Sequence, residues 1–225
     1  MRDRMRLLFV MLVKGMSGLA LMGLVIFGAA GSLRYAGGWM LIGALAALML
    51  GLGLFLWSKH PDTLKRRLKA VESERAQKGC VALIGLLLCA SFALAGLDHR
   101  LGWTTMPMWT SFAGLAALTF GYGLFGAVIL QNAHASRVVE VQAGQAVIAT
   151  GLYAVVRHPM YLASLMLFLS MPFVLASYAA LPPMLLLPFA LALRIRNEEA
   201  VLAAGLAGYP EYMQATRYRL IPYIW

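Results

Sequence analysis

Charge is what this chain has least of. Only 12% of its 225 residues are Asp, Glu, Lys or Arg, about half the fraction of an ordinary soluble domain. With 61% hydrophobic residues and a mean hydropathy of +0.76, the composition excludes a soluble fold and points to a polytopic membrane protein. Acid is scarcest of all, nine residues against nineteen basic ones. The resulting net charge of +10 does not announce nucleic acid, because no basic domain lies outside the apolar runs to bind it. In a membrane protein such charge marks cytoplasmic loops and attraction to anionic lipid. Cysteine is nearly absent too. Cys80 and Cys89 fall in one predicted helix about 13 Å apart, beyond bridging distance, and are expected in the core.

Familiar catalytic signatures are missing as well. His60, His99, His134 and His158 are scattered, without HExxH or a carboxylate at ligand spacing, so no metal site is expected. No GxSxG elbow marks a hydrolase. GYGLFG at 121–126 matches a dinucleotide fingerprint in letters only. It lies inside an apolar helix with no preceding strand, where small residues permit close helix packing. The first apolar run is too long for a cleavable signal and no small-residue cleavage site follows it.

What the chain does have is apolar runs: about 7–30, 39–57, 80–97, 107–130, 159–177 and 181–195, several long enough to approach the ~20 residues that cross a bilayer. Trp39 and Trp57 bracket the second run as an aromatic belt would. Residues 58–79 are the one strongly charged loop, and Leu64, Leu68 and Val71 recur in it at helical spacing, predicting a short helix lying on the membrane. Placing both termini inside puts 16 of the 19 Lys and Arg on the cytoplasmic side, as the positive-inside rule requires. Lys14, within the first run, is expected to snorkel to the surface.

The chemistry concentrates at the end. GLYAVVRHPMY at 151–161 and RIRNEE at 194–199 flank the last two apolar runs, which prolines 172, 182, 183 and 188 interrupt. Pro159 suits the first turn of a helix, so Arg157 and His158 sit at its N-terminal mouth, where the dipole favours anions. Arg194 and Glu198, four apart, share a helical face. Glu198 and Glu199 fall just past a predicted helix end, where the dipole is unfavourable to carboxylates. Either they are a surface ion pair closing a membrane helix, or they face a cationic partner: Arg157, Arg194 or a positively charged ligand.

GLYAVVRHPMY, the apolar residues that follow, RIRNEEAVL and GYPEYMQATRYRLIPYIW together resemble the isoprenylcysteine carboxyl methyltransferase family and the related bacterial phospholipid methyltransferases, over roughly residues 131–225. The resemblance implies an all-α membrane bundle of about six segments, the last two a proline-broken hairpin, plus a C-terminal cytoplasmic helix. Residues 1–130 would supply four transmembrane helices and 131–225 the catalytic region. It also implies S-adenosyl-L-methionine as cofactor, in a site facing the cytoplasm, of a bacterial inner membrane if the second group is the guide. Matching residue by residue gives Gln145, Ala146, Val147, Ile148, Tyr153, His158, Pro159, Met160, Tyr161, Glu198 and Glu199 as cofactor contacts, with Glu140 a further polar one. Arg194 matches the arginine that faces the acceptor, with Arg157 beside it, and Glu198 is the second catalytic candidate. Leu152 stands where the family usually has Pro, Ala163 where Gly is common and Gln145 where His is frequent.

The acceptor implied is a lipid or prenylated small molecule reaching the site from the bilayer, with surrounding lipid as the other partner. A carboxylate acceptor needs no base at neutral pH and suits a bidentate guanidinium; an amine head group must lose a proton, which Glu198 would take. An isoprenylcysteine-like carboxylate is favoured over a phosphatidylethanolamine-type amine. A sterol-type reductase would need basic residues for dinucleotide phosphates, and a transporter would need polar residues in mid-helix; the second and third runs are nearly free of them.

Overall fold

The computed structural model describes residues 2–68, 75–132 and 146–225; Val71, His134, Glu140 and Gln145 lie outside them. The regular structure of the described residues is all helix, with no strand among them. The long helices are α1 (Arg2–Ala30), α2 (Ala36–Lys59), α4 (Arg75–Leu101) and α5 (Met108–Gln131), with the short α3 (Pro61–Arg67) between the second and third. Then follow α6 (Leu152–Val155), α7 (Pro159–Val174), α8 (Leu181–Leu185), α9 (Leu187–Gly205) and α10 (Tyr209–Ala215). The four long helices have the length and composition to cross a membrane, and α7 is a shorter apolar helix of 16 residues. Phe9, Met16, Leu24, Phe112, Phe120 and Phe189 stand exposed on the outside. An apolar exterior of this extent is stable only against lipid. This is an integral membrane protein.

Glycines set how closely the helices approach. A Cβ at Gly114 would fall 2.8 Å from the Val174 backbone nitrogen, and one at Gly121 would fall 3.1 Å from that of Leu167. α5 and α7 therefore touch backbone to backbone, as small residues allow in membranes. Gly96 brings α4 to α1 in the same way, its Cβ position lying 2.5 Å from the Ile26 carbonyl oxygen. Within GYGLFG, Gly121 packs on α7 and Gly126 faces the Leu52 side chain, while Gly123 has nothing within 4 Å.

One end of the bundle is closed by a buried carboxylate. Asp98, near the end of α4, accepts hydrogen bonds from the Thr104 backbone N–H at 2.7 Å, from the Thr104 hydroxyl and from the Ser177 hydroxyl. This ties the loop before α5 to the turn after α7. Tyr35 adds a hydrogen bond to the Leu175 carbonyl and stacks on His99 with ring centroids 4.3 Å apart.

Three expectations need correction. Cys80 is buried but Cys89 is exposed on α4 rather than in the core. Pro172 lies within α7, two residues before its end, and does not split it. Most consequential, α9 runs unbroken through 194–199 to Gly205, so Glu198 and Glu199 sit inside a helix and not past one. Glu198, Glu199, Ala200 and Leu202–Ala204 are good helix formers and Gly205 follows them, and no proline in 189–205 stops the turn begun in the membrane.

Candidate functional site

The loop that opens the site depends on a glycine. Gly151 has φ +57, and a Cβ there would lie 2.1 Å from the Gln131 side-chain nitrogen, so only glycine fits. Gln131 Nε2 donates to the Thr150 carbonyl at 2.6 Å, and its Oε1 accepts from the Leu152 N–H at 3.1 Å. The short α6 thus leaves the end of α5 in one orientation and delivers Tyr153, whose hydroxyl accepts from Asn132 Nδ2 at 3.0 Å. His158 then occupies the N-cap of α7 and Pro159 its first position, where a missing N–H costs nothing.

Because α7 leads away from this end and α9 returns to it, the two motifs meet. Glu199, only 4% exposed, accepts from Arg157 Nε at 2.7 Å, Arg219 Nε at 2.7 Å and lies 3.2 Å from His158 Nε2. Burial pushes its carboxyl up, but hydrogen bonds from His158, Arg157 and Arg219 outweigh that and bring it from 4.5 down to about 2. Charge-assisted bonds of this kind are what make a buried carboxylate tolerable.

Arg157 does more than pair. Its Nη1 donates to the carbonyls of Thr216 at 2.7 Å and Arg217 at 2.9 Å, and its backbone N–H to Tyr218 at 2.9 Å. The His158 N–H donates to the Arg219 carbonyl at 2.9 Å. The tail, residues 216–225, is thereby laid along the RHP motif.

A second set of contacts lies one residue over. The Tyr161 hydroxyl donates to Glu198, and Arg194 Nε donates to that same hydroxyl at 2.9 Å. Arg194, 7% exposed, also stands over the Tyr161 ring at 5.9 Å, and Gln77 Nε2 on α4 holds its carbonyl at 3.1 Å. The i,i+4 pair Arg194 and Glu198 is joined through a tyrosine.

Around these, Val147 packs with Tyr153, Leu202, Leu206, Tyr209 and Tyr212, and the Tyr212 hydroxyl donates to the Tyr153 carbonyl at 2.7 Å. Ala146 is exposed and Ile148 half-buried. Met160 belongs with Leu56, Leu64 and Ile129. Burial, then the negative charge of Glu199 and Glu198, raises the Tyr209 phenol well above its ordinary range. Arg219, Gln77, Asn132 and Tyr209 were not singled out from the sequence. For Arg219 and Tyr209 the signal was present, since both lie in the tail, 208–225, that carried the resemblance; Gln77 and Asn132 are single polar letters in unremarkable contexts.

Apolar outside and charged within at one end, the molecule is a polytopic membrane protein with a buried ionic cluster where its last two arms meet. The sequence model of the isoprenylcysteine carboxyl methyltransferase (ICMT) family matches residues 115–204, the stretch holding Tyr153, RHP, Arg194 and both glutamates. Among solved structures, the eukaryotic intramembrane Ras methyltransferase ICMT superposes with a TM-score of 0.53 at 19% identity, over 92% of this chain and 74% of that one. No curated protein matches the chain significantly. The likeness to the ICMT family thus spans 90 of the 225 residues, and the solved structure adds a similar membrane-helical fold.

Proposed function

We propose that this protein transfers a methyl group from S-adenosyl-L-methionine to a lipid-type acceptor at the cytoplasmic face of the membrane, an isoprenylcysteine-like carboxylate being favoured. The observation that carries the reading is the meeting of RHP and EE: His158 on Glu199 at 3.2 Å and Tyr161 on Glu198, from opposite ends of one hairpin. The orientation is supported by the charge count, 16 of the 19 Lys and Arg falling on the cytoplasmic side when both termini are placed inside.

The residues present suit that cofactor. The Tyr209 hydroxyl is buried with no hydrogen-bond partner among the described residues, next to the electrostatic influence of Glu198 and Glu199. A ligand rich in hydroxyl and ammonium donors would satisfy it. When bound, the sulfonium supplies an activated methyl group, so the protein's work is positioning and exclusion of water. In this reading Glu198 holds an α-ammonium or ribose hydroxyl, and the faces of Tyr153 and Tyr161 attract positive charge. His158 orients the ligand. We assign Arg157 to joining the tail, RHP and Glu199 rather than to the acceptor.

Arg194 faces the acceptor. Its Nε donates to the Tyr161 hydroxyl, which fixes the plane of a guanidinium whose shape suits a carboxylate. Incubating purified protein with labelled S-adenosylmethionine, a prenylcysteine analogue and a membrane lipid extract tests the assignment. A base-labile methyl ester on the analogue supports it. An N-methylated head group would move the acceptor to the amine class, and no labelled product with no cofactor binding would reject the enzyme reading.

A further inference from the structure

Among the described residues, the N-terminal half brings a cation, Arg67, toward this site. α3 is a seven-residue helix whose Thr63 and Leu64 are buried, Leu64 against Leu56 and Ile129. Lys14 on α1 donates to the Leu68 carbonyl at its end at 2.6 Å. These contacts fix the end of α3, and from it Arg67 reaches across to α5 and α7. Its Nη1 lies 3.4 Å from the Met160 thioether sulfur, and its guanidinium stands 4.9 Å over the Phe125 ring. Met160 and Tyr161 are consecutive on the first turn of α7. Arg67 touches the first and Glu198 accepts from the second, so opposite charges flank neighbouring residues of that turn. Tyr153 lies under the influence of both, its phenol raised by burial and by Glu198 and lowered by Arg67.

A carboxylate and a guanidinium held against consecutive residues of one helical turn supply the two charges that a zwitterion, a molecule with both an ammonium and a carboxylate on one carbon, would require. We infer that Arg67 binds the α-carboxylate of the methyl donor while Glu198 holds its α-ammonium, so that α3 contributes a cofactor-binding residue from outside the family-matched stretch. This rests on the S-adenosylmethionine reading above and extends it to a residue that neither motif contains. A guanidinium is suited to the task, because it offers a carboxylate two parallel donors.

The test uses two ligands that share the adenosine and thioether but differ at the amino acid: S-adenosylhomocysteine, which has it, and 5′-methylthioadenosine, which lacks it. Calorimetry on full-length protein in detergent compares wild type with Arg67→Ala and Arg67→Lys. Losing a charge-assisted bond to the carboxylate is expected to weaken S-adenosylhomocysteine by about tenfold or more in Arg67→Ala, with 5′-methylthioadenosine within about twofold of wild type. Arg67→Lys should fall between. Unchanged affinity for the homocysteine ligand in Arg67→Ala overturns the inference, and so does an equal loss for both ligands, which marks a merely structural role. If wild type binds neither ligand, the donor reading itself fails and takes this inference with it.

Discussion

Arg157 and Glu199, 42 positions apart in sequence, are joined at 2.7 Å in the interior, and the carboxylate they share with Arg219 and His158 holds three segments at once. Removing one partner from such a group leaves buried charge uncompensated. Glu199→Ala is expected to lose about 3–5 kcal/mol of stability, read as a lower melting temperature in detergent. Glu199→Gln, which keeps an acceptor oxygen, should lose less. A Glu199→Ala protein that melts with wild type would show that the cluster holds nothing together.

The same carboxylate sets a pH response. Its folded value of about 2 lies below the ordinary 4.5, so the unfolded chain takes up the proton first as pH falls. Its contribution is fully present above about pH 4.5 and is lost as pH drops toward 2. Melting temperature should be insensitive to this group at neutral pH, and Glu199→Gln should flatten part of the acid decline of wild type. An equally steep decline in both proteins would sink this assignment.

Tyr161→Phe removes the hydroxyl that joins Arg194 to Glu198 while leaving the ring. Freed of its bond to that hydroxyl, Arg194 should present its fork less accurately. Methyl transfer should drop about tenfold in kcat/KM, with S-adenosylhomocysteine affinity in calorimetry falling by less. An equal loss in both measurements would place Tyr161 in cofactor binding alone.

Helix contact gives a paired test on α5. Gly114→Ala puts a methyl 2.8 Å from the α7 backbone and is expected to destabilise by about 1–3 kcal/mol. Gly123→Ala meets nothing within 4 Å and, by helix propensity, should be neutral or stabilising by up to about 1 kcal/mol. Thermal melts of both variants decide it.

At the far end, Asp98→Ala strands the Thr104 N–H and the Ser177 hydroxyl, each costing about 1–3 kcal/mol when buried unsatisfied. Stability should fall while S-adenosylhomocysteine affinity, measured on folded protein, stays put. A loss of affinity without a loss of stability would contradict the separation of the two ends.

The four long helices were readable because lipid imposes one rule along some twenty residues, and hydropathy records it. Their ends agree with the runs to within a few residues, except where polar turns extend them, as Arg75–Lys78 do for α4. The doublet at 198–199 was legible as important but not in its parts. Spacing paired Arg194 with Glu198; it did not show that Tyr161 stands between them. Nor did it show that Glu199, a hundred degrees round the helix, faces the tail. That distinction depends on how α9 is rotated against α7, which packing decides and the unbroken apolar run of 187–193 does not encode. Arg67 escaped for a related reason, since in sequence it is one of seven cations in a loop.

The tail that lies along RHP has a consequence for biogenesis. Arg219 and the carbonyls of residues 216–219 complete the surroundings of Arg157 and His158, so a chain whose long helices are already inserted still lacks a finished centre until this segment docks. Competence to bind ligand then reports that this segment has docked, and substitutions that keep residues 216–219 from docking should yield a well-inserted but inert protein.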